Sequence, residues 1–212
     1  MKKLLILTCV AASFYGTSAL AKTEGNYAGV DLLSGSASYN KRYSDDYQVS
    51  ATETSAEHGK SNIGLGVNYK HAYNFNGAFV AGGVFGEQNN IKNETNQYEK
   101  LEVKNRFGVK ADFGYDITDN VAPYVTVGYA GVAYRTRNYP TSQSGSSIKN
   151  GVARGGFYGV GLKIDINKDL SFNTEYQVQN FRAKTRTNGE YNYSGVYKAN
   201  FSEIKLGLSH KF

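Results

Sequence analysis

Along residues 101–116 the chain alternates without a break. Leu101, Val103, Asn105, Phe107, Val109, Ala111, Phe113 and Tyr115 fall on one face; Glu102, Lys104, Arg106, Gly108, Lys110, Asp112, Gly114 and Asp116 fall on the other. A period of two is the signature of a β-strand, whose successive side chains leave on opposite sides. The run is far longer than the roughly five or six residues of an ordinary strand. The same pattern recurs. Ala28, Val30 and Leu32 oppose Tyr27, Gly29 and Asp31; Ile63, Leu65, Val67 and Tyr69 oppose Gly64, Gly66, Asn68 and Lys70. Tyr158, Val160, Leu162, Ile164 and Ile166 oppose Gly159, Gly161, Lys163 and Asp165, and Leu170, Phe172, Thr174, Tyr176 and Val178 oppose Ser171, Asn173, Glu175 and Gln177. At the end of the chain Ile204, Leu206, Leu208, His210 and Phe212 oppose Glu203, Lys205, Gly207, Ser209 and Lys211. Two segments are less regular. Residues 78–86 are apolar or Gly on both faces, and residues 124–134 begin with Val125, Val127 and Tyr129 on one side, then lose parity at Val132 and Tyr134.

These runs predict eight strands. Their connectors alternate: short at 71–76, 117–122 and 167–168, long and polar near 40–60, 87–100, 135–151 and 182–198. Short turns at one end and long loops at the other describe an antiparallel up-and-down meander. No repeat of 20–50 residues suggests a solenoid or propeller.

The polar faces decide which way such a sheet curls. They carry Asp31, Lys70, Lys104, Arg106, Lys110, Asp112, Lys163, Asp165, Glu175, Glu203, Lys205 and Lys211, interspersed with glycines. Both signs of charge occur in one set, as an interior ion-pair network requires, and glycines leave room for long charged side chains. A soluble barrel with the opposite orientation would need its interior built from Tyr, Phe and Val. The long strands favour lipid outside: an all-β, eight-stranded antiparallel up-and-down transmembrane β-barrel with a polar interior. The expected interior network comprises Asp31, Arg106, Lys110, Asp112, Lys163, Glu175 and Lys205. Glu175 and Lys205 lie at similar depth on adjacent strands, so Glu175 is expected to pair with Lys205, or across the lumen with Lys110 or Arg106.

Composition narrows the class further. Among 212 residues there are 24 Gly and 18 Tyr but 2 Pro, 1 Met and no Trp. Weak helix formers dominate, no apolar run approaches the roughly 20 residues of a spanning helix, and the aromatic content argues against disorder. Met1, Lys2 and Lys3, an apolar stretch over 4–15 and Ala19-Leu20-Ala21 read as a secretory signal peptide, residues 1–21, leaving 22–212 as one barrel domain. Cys9, the single cysteine, falls in that leader, so the mature chain has no disulfide and no thiol nucleophile. Without Lys2 and Lys3 the chain keeps 22 basic residues against 18 acidic ones, a charge of +4. With no Trp, Tyr and Phe are left to form the interfacial girdles.

The last ten residues, Glu203-Ile-Lys-Leu-Gly-Leu-Ser-His-Lys-Phe212, resemble the C-terminal signal of Gram-negative outer-membrane barrels. Gly114-Tyr-Asp-Ile-Thr-Asp-Asn-Val121 is similar to a strand–turn–strand segment of the small eight-stranded OmpA-like and OmpX-like barrels, and Glu175-Tyr176-Gln177 resembles a triplet in the seventh strand of OmpA-type barrels. The resemblance implies a location in the outer membrane. It also implies that Ile204, Leu206, Leu208 and Phe212 are read by the barrel-assembly machinery. Roles in envelope integrity, adhesion or resistance to host defences follow from it, as does a barrel without a periplasmic domain.

Candidate chemistry is sparse. The imidazoles are His58, His71 and His210, and none belongs to a set with metal-ligand spacing. His58, near Ser55, Glu57 and Ser61, admits an alternative reading as part of a lipid A-modifying enzyme at the outer rim. No Ser sits in a nucleophile elbow, so the expectation is no catalytic residue, no metal and no cofactor. An eight-stranded interior is just filled by side chains, which leaves a narrow solute pore as a second alternative. Arg135, Arg137, Arg182, Lys184 and Arg186, with Tyr191, Tyr193 and Tyr197 nearby, form the expected surface-binding patch. Its expected partners are lipopolysaccharide phosphates or an acidic host surface or matrix ligand; no nucleic acid is expected, and the barrel is expected to be a monomer.

Overall fold

The computed structural model of the chain describes residues 23–45, 52–53, 63–96, 99–138, 147–187 and 193–212. The leader at 1–21 and His58 lie outside the described residues. Eight long strands form the wall: β1 Gly25–Asp45, β2 Ile63–Phe75, β3 Ala78–Asn96, β4 Glu99–Tyr115, β5 Val121–Asn138, β6 Ser147–Asp165, β7 Leu170–Thr187 and β8 Tyr193–Lys211. Each pairs antiparallel with the next, and β1 pairs with β8 from Tyr27↔Lys211 to Asp45↔Tyr193, closing the barrel. Closure leaves no open edge within the membrane, where an unpaired backbone would be unsatisfied. A two-residue segment, Thr52–Glu53, adds to β1 at Lys41 and Arg42.

The faces divide as the alternation requires. Val30, Leu32, Leu65, Val67, Val109, Val125, Val160, Ile204 and Leu206 are exposed on the outside, Ile63 at 78%. Lys70, Arg106, Asp112, Lys163, Glu175, Glu203 and Lys205 are buried inside, each at 5% exposure or less. An apolar outside around a charged inside is the arrangement lipid demands.

The tight turns are written in the sequence. Asn76 and Gly77 both have positive φ, 54° and 96°, which suits Asn-Gly in a two-residue hairpin. The Asn74 side chain accepts a hydrogen bond from the Gly77 N–H at 3.0 Å. Thr118 Oγ1 accepts from the Val121 N–H at 3.1 Å, and Asn167 Oδ1 accepts from the Leu170 N–H at 2.8 Å.

Four expectations are corrected. The long connectors 87–100, 135–151 and 182–198 are mostly strand: β3 runs to Asn96, β5 to Asn138, β6 starts at Ser147, β7 runs to Thr187 and β8 starts at Tyr193. Above the bilayer neither face has to be apolar, so alternation disappears while backbone pairing continues. The parity of 124–134 is unbroken: Val132 is fully buried and, with Tyr134, packs against an inner apolar cluster. The alternation of 101–116 does shift. A bulge between Val103 and Asn105 turns Val103 inward, at 2% exposure, and takes Lys104 out of the polar rank. Finally, His71 lies in β2 rather than in a turn, bonded to Asn26 Oδ1 at 2.8 Å.

Candidate functional site

The interior is built in layers. At the outer end Ala37, Val103, Val132, Ala153, Phe181 and Phe201 form an apolar cap, to which the bulge in β4 contributes Val103. Below it sits Arg106, fully buried. Its Nη1 donates to Glu87 Oε2 at 2.9 Å and Glu203 Oε2 at 3.1 Å, its Nε to Gln179 Oε1 at 2.7 Å, and its Nη2 to Gln177 Oε1 at 2.6 Å. The guanidinium carbon lies 4.8 Å from the centre of the Phe85 ring and 4.6 Å from that of Phe157, which meet edge to face. A buried charge is tolerated when paired and hydrogen-bonded in this way. Lys205 Nζ donates to Glu87 Oε1 and lies 4.8 Å from the Phe85 ring centre.

The next layer is centred on Glu175. Lys110 Nζ and Tyr124 Oη each donate to Glu175 Oε2 at 2.9 Å, Gln177 Nε2 donates to Oε1, and Lys205 Nζ stands 4.0 Å away. Asp112 links Lys110, at 3.6 Å, to Lys70, at 3.4 Å. Asp31 accepts from Asn68 Nδ2 at 2.7 Å and is at the edge of the network. A cavity of about 20 Å³ bordered by Asp31, Lys110, Asn173, Glu175 and Lys205 has room for about one water. At the periplasmic mouth Lys163 Nζ donates to Asp165 Oδ2 at 2.6 Å and to Thr23 Oγ1 at 3.1 Å. Thr23 donates in turn to Asp116 Oδ1 at 2.6 Å. Among the described residues, paired charges and apolar side chains thus occupy each of these layers of the lumen.

The structure thus brings Arg106, Lys110, Asp112, Glu175 and Lys205 into two adjoining layers, and places Lys163 apart from them near the mouth. Glu87 was missed by sequence reading. It opens a polar run, Glu87 to Asn90, that looks like a loop, and only the continuation of β3 puts it inside the wall. Gln177 was on the polar face, but nothing in its spacing names Arg106 as its partner. Gly128 has a discernible role: a side chain there would run into the Phe157 ring that covers Arg106.

Arg135, Arg137, Arg182, Lys184 and Arg186 lie on strands, not in loops. Arg135 donates from Nε to Asn150 Oδ1 at 3.0 Å, and its ladder partners are Asn150 and Glu102. Arg137 pairs with Ile148, and Arg182, Lys184 and Arg186 pair with Lys198, Val196 and Ser194. Ile204, Leu206, Leu208 and Phe212 form an exposed apolar rank at the end of β8, on which His210 also lies. Among the described residues, no set of three or more His, Cys, Asp or Glu side chains is arranged to hold a metal ion.

Comparison with known proteins gives the family. Outer membrane protein OprG from Pseudomonas aeruginosa has a TM-score of 0.58 and 15% identity, over 91% of this chain and 98% of that one. Ail, the attachment invasion locus protein of Yersinia pestis, has a TM-score of 0.49 and 13% identity, over 90% and 100% of the two chains. AlkL, determined by solid-state NMR in lipid bilayers, has a TM-score of 0.49 and 16% identity, over 94% and 96%. No curated protein sequence matches significantly. The profile of the outer membrane protein beta-barrel domain matches residues 7–212. The chain therefore belongs to the outer membrane protein β-barrel domain family, a barrel of the Gram-negative outer membrane.

Proposed function

We propose that the protein is a non-enzymatic scaffold whose outer wall and loops recognise an anionic surface, in adhesion, host interaction or maintenance of the envelope. The observation that carries this reading is the contrast between inside and outside. The lumen is occupied by paired charges and an apolar cap, which weighs against a diffusion pore. Outside, seven of the eight strands have 17 or more residues, where about 9–11 suffice to cross the bilayer. The surplus carries Arg135, Arg137, Arg182, Lys184 and Arg186 on β5 and β7. An excess of positive charge over acids such as Glu102, the ladder partner of Arg135, attracts sulfated glycans and acidic proteins, and the attraction weakens with salt.

The test is charge removal. Changing the four arginines and Lys184 to Gln should weaken binding of a sulfated glycan such as heparin by ~2–3 kcal/mol, roughly 30- to 150-fold, at about 0.5 kcal/mol per exposed pair. The folded barrel should persist by its heat-modifiable gel migration. Unchanged binding of heparin and of host matrix proteins by a folded variant would overturn the reading. A change in lipid A mass when the protein is removed from cells would favour an enzyme instead.

A further inference from the structure

We infer that residues 23–25 form a strap that folds into the periplasmic mouth of the barrel, latches onto Asp116 and seals the buried Lys163 from the water outside. That mouth is the end of the barrel opposite the proposed recognition surface.

β1 and β8 meet at this mouth and behave differently there. β8 keeps its backbone bonded to the wall up to its end: the Lys211 N–H donates to the Asp169 carbonyl at 2.7 Å, and the Phe212 N–H to the Asn26 carbonyl at 3.0 Å. The ladders of β1 with β2 and β8 begin only at Gly25 and Tyr27, and the residues before them depart from the wall. Gly25 has a φ of 104°, a left-handed backbone that favours glycine, and there the chain turns. Glu24 stays exposed, whereas Thr23 is buried, at 1% exposure. A threonine two residues outside a strand is ordinarily solvated; this one is carried into the lumen.

Thr23 arrives at a prepared socket. Its N–H donates to Asp116 Oδ2 at 3.1 Å and its hydroxyl to Asp116 Oδ1 at 2.6 Å, so one residue engages both oxygens of the carboxylate. Asp116 lies in the turn that leads from β4 into β5, and β5 stands four strands from β1 in either direction. Two residues extend at most about 7 Å, so the far wall has to reach back, and Asp116 does so. Its position is fixed independently of the strap. Asn74 Nδ2 donates to Asp116 Oδ2 at 2.7 Å, and the Asp116 N–H donates to the Gly77 carbonyl at 2.8 Å.

What the strap covers is a charge. Thr23 Oγ1 accepts from Lys163 Nζ at 3.1 Å while donating to Asp116, so the hydroxyl relays between an ammonium and a carboxylate. Lys163 Nζ also donates to Asp165 Oδ2 at 2.6 Å, and Asp165 Oδ1 accepts from Ser171 Oγ at 2.6 Å. The Tyr27 ring centre lies 5.5 Å from the same Nζ, and Tyr27 is itself buried against Ala72 and Ala81. The start of β1 thus holds the ammonium at two points, and Thr23 is the point nearer the chain end. A buried ammonium is costly unless its donors are taken. Releasing Thr23 leaves Lys163 short of an acceptor that only water can replace. The partners of the latch come from β2, the β4–β5 turn, β6 and β7, so it is complete only in the closed barrel.

The barrel purified from the outer membrane into detergent, treated with an amine-acylating reagent and read residue by residue by mass spectrometry, tests the strap. In the parent, Lys163 should react far more slowly than Lys168, which is exposed in the neighbouring turn. Equal rates would overturn the inference, and that arm needs no variant. Two changes release the strap from different ends: Gly25→Val opposes the left-handed backbone, and Asp116→Ala removes the socket. Each should raise the acylation of Lys163 about tenfold, as when local opening no longer breaks a charged hydrogen bond. Lys205, deeper in the lumen, should stay protected in both and so report an intact barrel. Undiminished protection of Lys163 in either folded variant would refute the strap. Should both variants fail to fold, amide hydrogen exchange in the parent decides: slow exchange at Thr23 is expected, and exchange as fast as at the exposed Glu24 would overturn the latch.

Discussion

Replacing Arg106 by Met removes the charge at the centre of the barrel while keeping most of the side-chain volume. The consequences follow from its partners. Glu203, fully buried, loses its 3.1 Å cation and is left to share Lys205, 3.7 Å away, with Glu87. Gln177 and Gln179 lose donors at 2.6 and 2.7 Å. Two buried carboxylates left to one lysine carry an uncompensated charge, which costs about 3–5 kcal/mol, and each abandoned amide acceptor costs about 1 kcal/mol more. Met packing against Phe85 and Phe157 returns ~1 kcal/mol of this through sulfur–aromatic contact. The net loss is about 4–6 kcal/mol. At an m-value of ~2 kcal/mol/M, the urea midpoint falls by about 2–3 M. The assay is equilibrium unfolding in lipid vesicles, followed by tyrosine fluorescence because the chain has no Trp, and by gel migration. Adding Glu203→Gln to the Met variant should restore roughly half of the loss, because Glu203 Oε1 has no hydrogen-bond partner among the described residues and the uncharged amide is cheaper to bury. A midpoint within about 0.5 M of the parent, or no recovery in the double variant, would refute the reasoning.

Glu175→Leu should cost about 3–5 kcal/mol, since it leaves Lys110 only Asp112, at 3.6 Å, and takes the acceptor from the Tyr124 hydroxyl, whereas Glu53→Leu, beyond the membrane, should stay within ~0.5 kcal/mol; equal midpoints for the two would count against the interior layering. Proteases added to intact cells should cut in 139–146 or 188–192, and cuts confined to the short turns at 76–77, 116–120 or 166–169 would invert the topology. Deleting Phe212 should lower the amount of folded barrel in the outer membrane without changing its refolding in vesicles; an unchanged amount would remove the assembly role from the terminal rank. Gly128→Val should destabilise by about 1–3 kcal/mol through overpacking against the Val109 carbonyl and the Phe157 ring, and a neutral result would mean that both the backbone and the ring give way.

The architecture was legible where one face of the wall meets lipid. There a slip of one residue would put charges into hydrocarbon, so Val30, Val109, Val160 and Leu206 had to alternate with Asp31, Lys110, Gly161 and Gly207. The same logic identified most of the charged interior. It failed where lipid no longer imposes it. Above the bilayer Arg182, Lys184 and Arg186 alternate with Ala183 and Thr185, and no hydropathy contrast announces a strand. Glu87 was lost for that reason. The bulge at Val103 was invisible because Val suits either face, and Val132 and Tyr134 looked like a broken rank because an apolar residue inside a polar lumen contradicts the pattern on which the reading was based. Partner choice was hidden too. Adjacent-strand pairs such as Glu175 and Lys205 follow from register, but the contacts of Lys110 with Glu175 and of Arg106 with Glu203 cross the lumen and depend on the curvature that closes the barrel.

That cross-lumen bonding also supports the proposal that recognition belongs on the outside. Eight strands enclose a space that side chains can just fill. Every charge placed there needs a counter-charge within reach, so an interior with Arg106, Lys110, Glu175 and Lys205 is stable only in one arrangement. Opening it for a solute would strand at least one buried carboxylate, at about 3–5 kcal/mol. The apolar cap of Val103, Val132, Phe181 and Phe201 then separates this network from external water, which would otherwise weaken its ion pairs. A lumen stiffened in this way can carry strands well past the membrane without support from above. Along β6 and β7 the hydrogen-bonded ladder nevertheless stops at Phe157 and Gln179, the level of the Arg106 layer, while β5–β6 continue to Asn138 and Ser147 and β7–β8 to Thr187 and Tyr193. The wall is thus closed where it must withstand lipid and lacks that one ladder where its basic positions accumulate.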